Sequence, residues 1–275
     1  MRLLIFSIAL SLLGFIGPQL CAQLAIRAAP AARSAILGAG TAIVILTLLF
    51  TYRGLVHLLE RRPPAELGVA AMPRALAGGI GLGAGLFALV MLLLWAMGVA
   101  RVSLATPVRL PVFALIAGAL AAFAEELIVR GVVFRILEES LGTACALVLS
   151  AGFFGGLHAA NPGASVFSSI AVALEAGLLL ALALVASRSL WLPIGVHFGW
   201  NVAQSALFGN PDSGYRFAGV FRTSTAGPEL LTGGAFGPEA SVVAIVVCMA
   251  AATVLGVVAI RRGEWKSRRF DFNAR

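Results

Sequence analysis

In AAFAEELIVRGVVF (residues 121–134) two glutamates and an arginine interrupt an otherwise apolar run, and the reading of this stretch decides the fold. Extended outward, the run covers Pro111 to Leu137, enough residues for a helix to cross a hydrocarbon layer of roughly 30 Å. A soluble core is excluded by composition: 60% of the 275 residues are hydrophobic and 12% charged, and the mean hydropathy is +0.99. A soluble domain carries roughly twice that charged fraction. The expected fold class is therefore all-α, a polytopic transmembrane helical bundle.

Further apolar stretches of spanning length recur on both sides, separated by short Arg-, Pro- or Gly-bearing breaks. Eight are expected, at Leu3–Ile16, Ala35–Leu59, Ala75–Val99, Pro111–Leu137, Thr143–Ala160, Ser165–Ala186, Leu190–Phe208 and Ala240–Ile260. The first is compatible with a signal peptide as well as with a retained span, and the retained span is the expectation. This divides the chain into N-terminal helices (1–110), a helical core holding the candidate chemistry (111–208), a polar loop (209–238), and a last helix with a basic tail (239–275).

Three cysteines, Cys21, Cys145 and Cys248, cannot form a disulfide framework and read as small buried hydrophobes. Gly79-x-Gly81 lies within an apolar run with no strand before it, so Gly79/Gly83 and Gly81/Gly85 read as close helix packing and not as a dinucleotide loop.

The net charge of +8 follows from where the basic residues lie and implies no nucleic-acid partner. With both termini inside, thirteen Lys and Arg residues fall on the inner side and six outside (Arg27, Arg33, Arg101, Arg109, Arg216, Arg222), with Arg130 within a span. The tail RRGEWKSRRF would rest on anionic headgroups, with Trp265 and Phe270 at the interface. Trp191 reads as a further interface marker and Trp200 as a packing contact.

Ionisable groups at membrane depth cost roughly 2.5–3.5 kcal/mol each near the centre unless they face each other or a cavity. Most acids, Glu66, Glu138, Asp212 and Glu239 among them, fall in loops or at span ends. Glu125, Glu126, His158, Glu175 and His197 remain. Glu126 and Arg130 are four apart and can pair along one helix face, while Glu125, rotated about 100°, stays available. Phe154/His158 and His197/Asn201 repeat the four-residue spacing. A lone Glu–Arg pair in a span ordinarily clamps helices, and a lone membrane histidine ordinarily satisfies a carbonyl. Together, on separate spans, these residues supply a carboxylate, two imidazoles and an amide. That set suits hydrolysis: Glu125 as general base, His158 sharing its water, His197 and Asn201 donating to an oxyanion. Glu175 has no sequence-local partner, and lining the same cavity or bonding another helix are both open.

Glu125-Glu126-x-x-x-Arg130, Phe154-x-x-x-His158 and His197-x-x-x-Asn201, on successive hydrophobic segments, resemble the three motifs of the CPBP (Abi) family, which comprises CAAX prenyl proteases of the Ras-converting type and bacteriocin-processing or immunity proteins. The similar region runs from about Pro111 to Gln204, and SLWLPIGVHFGWN and GGAFGPE also look like its bacterial members. The resemblance implies an intramembrane endopeptidase, open to the cytoplasmic side, with Glu125 and His158 as the water-activating pair, His197 and Asn201 as the oxyanion site, and Glu126 and Arg130 as supports. Phe154 and Glu175 are candidate substrate contacts. The implied partners are membrane lipid and a peptide or membrane-protein substrate, and the implied location is a bacterial inner membrane.

No metal or other cofactor is expected. Zinc is the alternative, because two glutamates and two histidines could bind it, but the HExxH helix is absent and Arg130 beside Glu126 opposes a dication. Two other function classes stay open: a non-catalytic immunity or scaffold protein of the same fold, and a proton-coupled transporter, against which stands the lack of a repeat between the halves.

Overall fold

The computed structural model describes residues 2–108 and 110–267; Arg109 and the tail residues Arg268, Arg269, Phe270 and Arg275 lie outside the described residues. An apolar chain in lipid must pair its backbone N–H and C=O groups within each segment, which leaves helices as the economical solution. Eleven α-helices are described: α1 (Arg2–Arg27), α2 (Pro30–Leu55), α3 (Met72–Ala96), α4 (Val112–Ile128), α5 (Arg135–Leu141), α6 (Thr143–Leu157), α7 (Val166–Val172), α8 (Leu178–Ser187), α9 (Trp191–Asn201), α10 (Glu229–Thr232) and α11 (Val242–Arg261). Seven helical segments are long and apolar enough to cross a membrane. The protein is a multi-pass membrane protein. Large side chains such as Leu24, Ile43, Phe50, Val148 and Val254 point outward, as a lipid-facing surface requires.

The expected span Leu190–Phe208, which is not among those seven, is helical but shorter: α9 runs into a π turn, Val202–Leu207. It carries Pro193, His197, Asn201 and Gln204 and lies among α3, α4 and α8. Its neighbours, rather than lipid, surround its polar groups. The first helix is longer than the apolar pattern alone implied, reaching Arg27 and packing on α2 and α4.

The closest packing joins α3 to α9. A Cβ on Gly79 would stand 2.5 Å from the Leu192 carbonyl oxygen, and one on Gly195 2.5 Å from that of Leu76. Cβ atoms on Gly83 and Gly199 would run into the carbonyls of Val196 and Ile80. Gly79/Gly83 therefore pack as the spacing predicted, but against Gly195/Gly199. Gly81 and Gly85, about 200° around the helix, face open space. Gly83→Ala is expected to cost about 3 kcal/mol, because backbone has to move, and Gly85→Ala close to nothing. Thermal unfolding in detergent separates the two. His197 is two residues from both Gly195 and Gly199, so the glycine face of α9 aims the histidine the opposite way.

Three π turns adjoin the polar motifs: Val129–Phe134 after Glu125 and Glu126, Ala173–Gly177 around Glu175, and Val202–Leu207 after Asn201. Each interrupts the regular helical ladder, a device common at functional sites.

The one sheet among the described residues is two-stranded and antiparallel, β1 (Ala100–Leu104) with β2 (Phe221–Thr225), Ala100 opposite Thr225 and Leu104 opposite Phe221. It ties the α3–α4 connection to the Gly209–Pro238 loop at one end of the bundle. At the other end, acids read as lying in loops or at span ends are buried under partners: Glu66 under Arg62 and Tyr52, Glu138 under Arg188 and Thr143. Trp191 is likewise buried, its indole N–H donating to the Gly68 carbonyl at 3.1 Å, so it packs inside where an interface position was expected. Trp200 meets Phe87 edge-on in the packing contact its position suggested. Of the cysteines only Cys248 is buried; Cys145 lies on the outer surface of α6, which an apolar face allows in lipid.

Candidate active site

Glu125 and Glu126 are consecutive on α4 and so diverge around it. Glu126 is fully buried, and its Oε1 accepts hydrogen bonds from Arg130 Nη1 at 2.8 Å and from His197 Nδ1 at 3.0 Å. Arg130, also fully buried, donates from Nη2 to the carbonyls of Ala176 at 2.8 Å and Gly177 at 3.2 Å, at the exit of a π turn. Its guanidinium stands 4.3 Å from the centroid of the Phe154 ring, within cation–π range. One arginine thus ties the turn after α4 to α6 and to the turn before α8. Burying such a pair adds little net stability, but it fixes geometry.

Phe154 lies between Arg130 and His158: its ring centroid is 4.6 Å from the His158 imidazole and 6.3 Å, edge-on, from that of His197. His158 Nδ1 is 2.8 Å from the Phe154 carbonyl oxygen. A carbonyl only accepts, so Nδ1 carries the proton and Nε2 faces away from it. The Glu126 carboxylate orients His197 by the same logic. Both Nε2 atoms then converge on Glu125, each 4.0 Å from its Oε2. That oxygen is buried and has no hydrogen-bond partner among the described residues. Asn201 follows His197 by one turn, and Gly118 on α4 makes room for it: a Cβ there would stand 3.2 Å from the Asn201 Cβ. Glu125, His158, His197 and Asn201 share a cavity of about 320 Å³.

The loop supplies what sequence reasoning missed. Asp212 lines the same cavity, and Glu239, at a span end as read from the sequence, is buried next to it, accepting the Ser213 N–H at 2.5 Å. Gln204 clasps the loop, donating to the Pro211 carbonyl at 2.6 Å while accepting the Trp200 indole N–H at 2.8 Å. Burial, then the negative charges of Glu239 and Glu125, pushes the Asp212 carboxyl well above its ordinary range. Burial likewise raises Glu239, against the opposing Ser213 backbone hydrogen bond. NPDSG around Asp212 reads locally as an exposed turn, and no periodic signal marks a loop that folds back over a site.

Glu175 is buried in the adjoining chamber of about 40 Å³ beside Glu239, and its Oε2 is unpartnered among the described residues. Of the two readings left open by sequence, neither is met as stated: Glu175 lines this adjoining chamber and not the cavity of Glu125, and it bonds no other helix among the described residues. The Phe154 ring borders this chamber but is itself only 1% exposed.

The cavity opens at the end holding the loop and the two strands. The chain's first described residues and the segment after α11 lie at the opposite end, where Arg2 reaches Glu60 at 4.0 Å and Lys266 reaches Glu138 at 3.1 Å. A cavity open to the cytoplasm and cytoplasmic termini, both expected from sequence, are thus incompatible in this fold. The physical reason is that α4, α6 and α9 present their motif residues to the end capped by the loop.

Residues 107–203 match the model of a family described as type II CAAX prenyl endopeptidase, Rce1-like. The match spans every motif residue from Glu125 to Asn201 and ends before Asp212 and Glu239. No curated protein and no solved structure matches the chain.

Proposed function

We propose, on the match of residues 107–203 to the Rce1-like model of type II CAAX prenyl endopeptidases, that this chain is an intramembrane endopeptidase that hydrolyses a peptide bond with a water activated by Glu125. The observation that carries the mechanism is the unpartnered Glu125 Oε2, equidistant at 4.0 Å from two imidazole Nε2 atoms. A water about 2.8 Å from each of these atoms is well accommodated by that spacing.

Glu125 takes the water's proton as the oxygen attacks the scissile carbonyl carbon. His158 Nε2, its other nitrogen being committed to Phe154, holds the same water as an acceptor. The carbonyl oxygen becomes an oxyanion, which His197 Nε2 and the Asn201 amide stabilise by donation. Donation from Nε2 requires both His197 nitrogens to be protonated, and the Glu126 carboxylate balances that charge. Collapse of the tetrahedral intermediate breaks the C–N bond, and Glu125 returns its proton to the leaving amine. Arg130 and Phe154 act as positioning residues; the burial of Phe154 favours support of the imidazoles over contact with substrate. Residues 111–208 form the catalytic unit in this reading, with the helices of 1–110 and α11 enclosing it in a bacterial inner membrane and 209–238 as its cover.

We assign no metal to the site. A tetrahedral zinc with ligands at 2.0–2.1 Å brings its ligand atoms to about 3.3 Å of one another, closer than the 4.0 Å separations here, and Glu126 is already engaged by Arg130.

Cleavage of a fluorogenic farnesylated C-a-a-X peptide by the detergent-purified protein tests both points. Hydrolysis unchanged by a strong chelator and absent in Glu125→Ala is the expected result. Activity lost to chelation and restored by stoichiometric zinc would overturn the metal-free mechanism. Failure of a well-folded sample to cut any peptide of a diverse library would favour a scaffold of the same fold.

A further inference from the structure

We propose that the catalytic cavity opens on the non-cytoplasmic face of the membrane, so that the substrate is an extended segment of an exported or membrane-anchored protein presented from that side, and not a cytosolic prenylated C terminus. The sidedness rests on charge and access alone; the substrate class rests in addition on the endopeptidase reading.

The first observation is the distribution of cations between the two ends. Among the described residues, Arg2, Arg53, Arg61, Arg62, Arg74, Arg135, Arg188, Arg261, Arg262 and Lys266 lie at the end away from the cavity. Their contacts bring them together across the sequence: Arg135 reaches Glu60 at 2.7 Å, Arg188 reaches Glu138 at 2.6 Å and Glu264 at 2.9 Å, and Arg53 reaches the Leu67 carbonyl at 3.4 Å. Arg27 and Arg33 at the facing ends of α1 and α2, Arg101 and Arg222 on the two strands, and Arg216 in the loop lie at the cavity end. Lys and Arg near helix ends are retained in the cytoplasm, so a twofold excess places the first end inside.

The second observation is that the basic end is closed. Tyr52 donates to Glu66 Oε1 at 2.6 Å and approaches the Gly131 carbonyl at 3.0 Å, and Arg62 and Arg135 hold Glu66 and Glu60 around it. A depression of about 310 Å³ on this end reaches Arg130 and Gly131 but not Glu125. From the other end, Glu125 is reached through the 320 Å³ cavity past Asp212, Tyr215 and Phe217. The aromatic pair at that mouth suits an extended peptide with an apolar side chain, entering between the loop and α4.

Sidedness is read without reference to activity by introducing one cysteine at each end, Ala218→Cys in the exposed loop or Ser267→Cys beyond α11, and treating cells with a membrane-impermeant maleimide. The parent, whose three cysteines all lie within apolar helices, is the control. Labelling of Ala218→Cys in intact cells, with Ser267→Cys labelled only after permeabilisation, is expected. The reverse pattern, or equal labelling of both, overturns the proposal. In sealed vesicles of known orientation, a peptide that the detergent-solubilised enzyme cleaves should be cut only when supplied on the Ala218 side; cleavage only from the Ser267 side overturns it. Failure of the endopeptidase reading shows separately, as absence of cleavage in detergent, while the labelling still decides the topology.

Discussion

Glu125→Gln is expected to lower the single-turnover rate of peptide cleavage by about 10³-fold or more while leaving the thermal midpoint in detergent nearly unchanged. The substitution keeps the size of the side chain and removes its ability to take a proton, and general-base catalysis contributes roughly 10²–10⁴-fold. Folding is spared because Glu125 Oε2 makes no hydrogen bond among the described residues and the side chain borders an open cavity. His158→Ala should fall in the same range, and the double variant should be little worse than either single one, since both groups act on one water. Independent, multiplicative losses would show that the two do not share it. A Glu125→Gln enzyme that kept substantial turnover would remove the carboxylate from the base role altogether.

The polar motifs were legible in the sequence because a membrane makes ionisable residues conspicuous. Glu126 and Arg130 at four-residue spacing had to pair, and they do, at 2.8 Å. What spacing within a helix cannot convey is which helices meet. The bond from His197 to Glu126 joins groups 71 residues apart, and the Arg130 bonds to Ala176 and Gly177 span 46 and 47 residues. The same limit hid the role of Gly195/Gly199: the stripe on α3 was readable as a close contact, but its partner stripe lies on α9, far along the chain, and nothing in either stripe names the other. Loops were the hardest part. Asp212 and Glu239 are placed by Gln204, Ser213 and the β1–β2 pairing, contacts for which turn-forming residues carry no local signature. Glu66 and Glu138 do lie in a connection and at a span end, as read, but their burial was not legible for a related reason: an acid there is normally solvated, and here Arg135 and Arg188 reach them from distant segments.

Arg130→Met should cause the largest loss of stability of any single change at the site. It leaves Glu126, fully buried, without its cationic partner, and removing one member of a buried pair costs about 3–5 kcal/mol. The Ala176 and Gly177 carbonyls lose a donor at the same time. Adding Glu126→Gln should recover much of the stability, since the uncompensated charge disappears and an amide can still accept from His197 Nδ1. It should not recover turnover. His197 would then face a neutral partner, the ring would no longer be balanced when it carries both protons, and its donation to the oxyanion would weaken. Thermal unfolding should therefore order the variants as parent, double, Arg130→Met, whereas kcat should be low in both variants. If the double variant regained full activity, the pair would be a structural clamp alone. If it regained neither stability nor activity, the bonds from Arg130 to the Ala176 and Gly177 carbonyls, and not the charge on Glu126, would be what holds the site together.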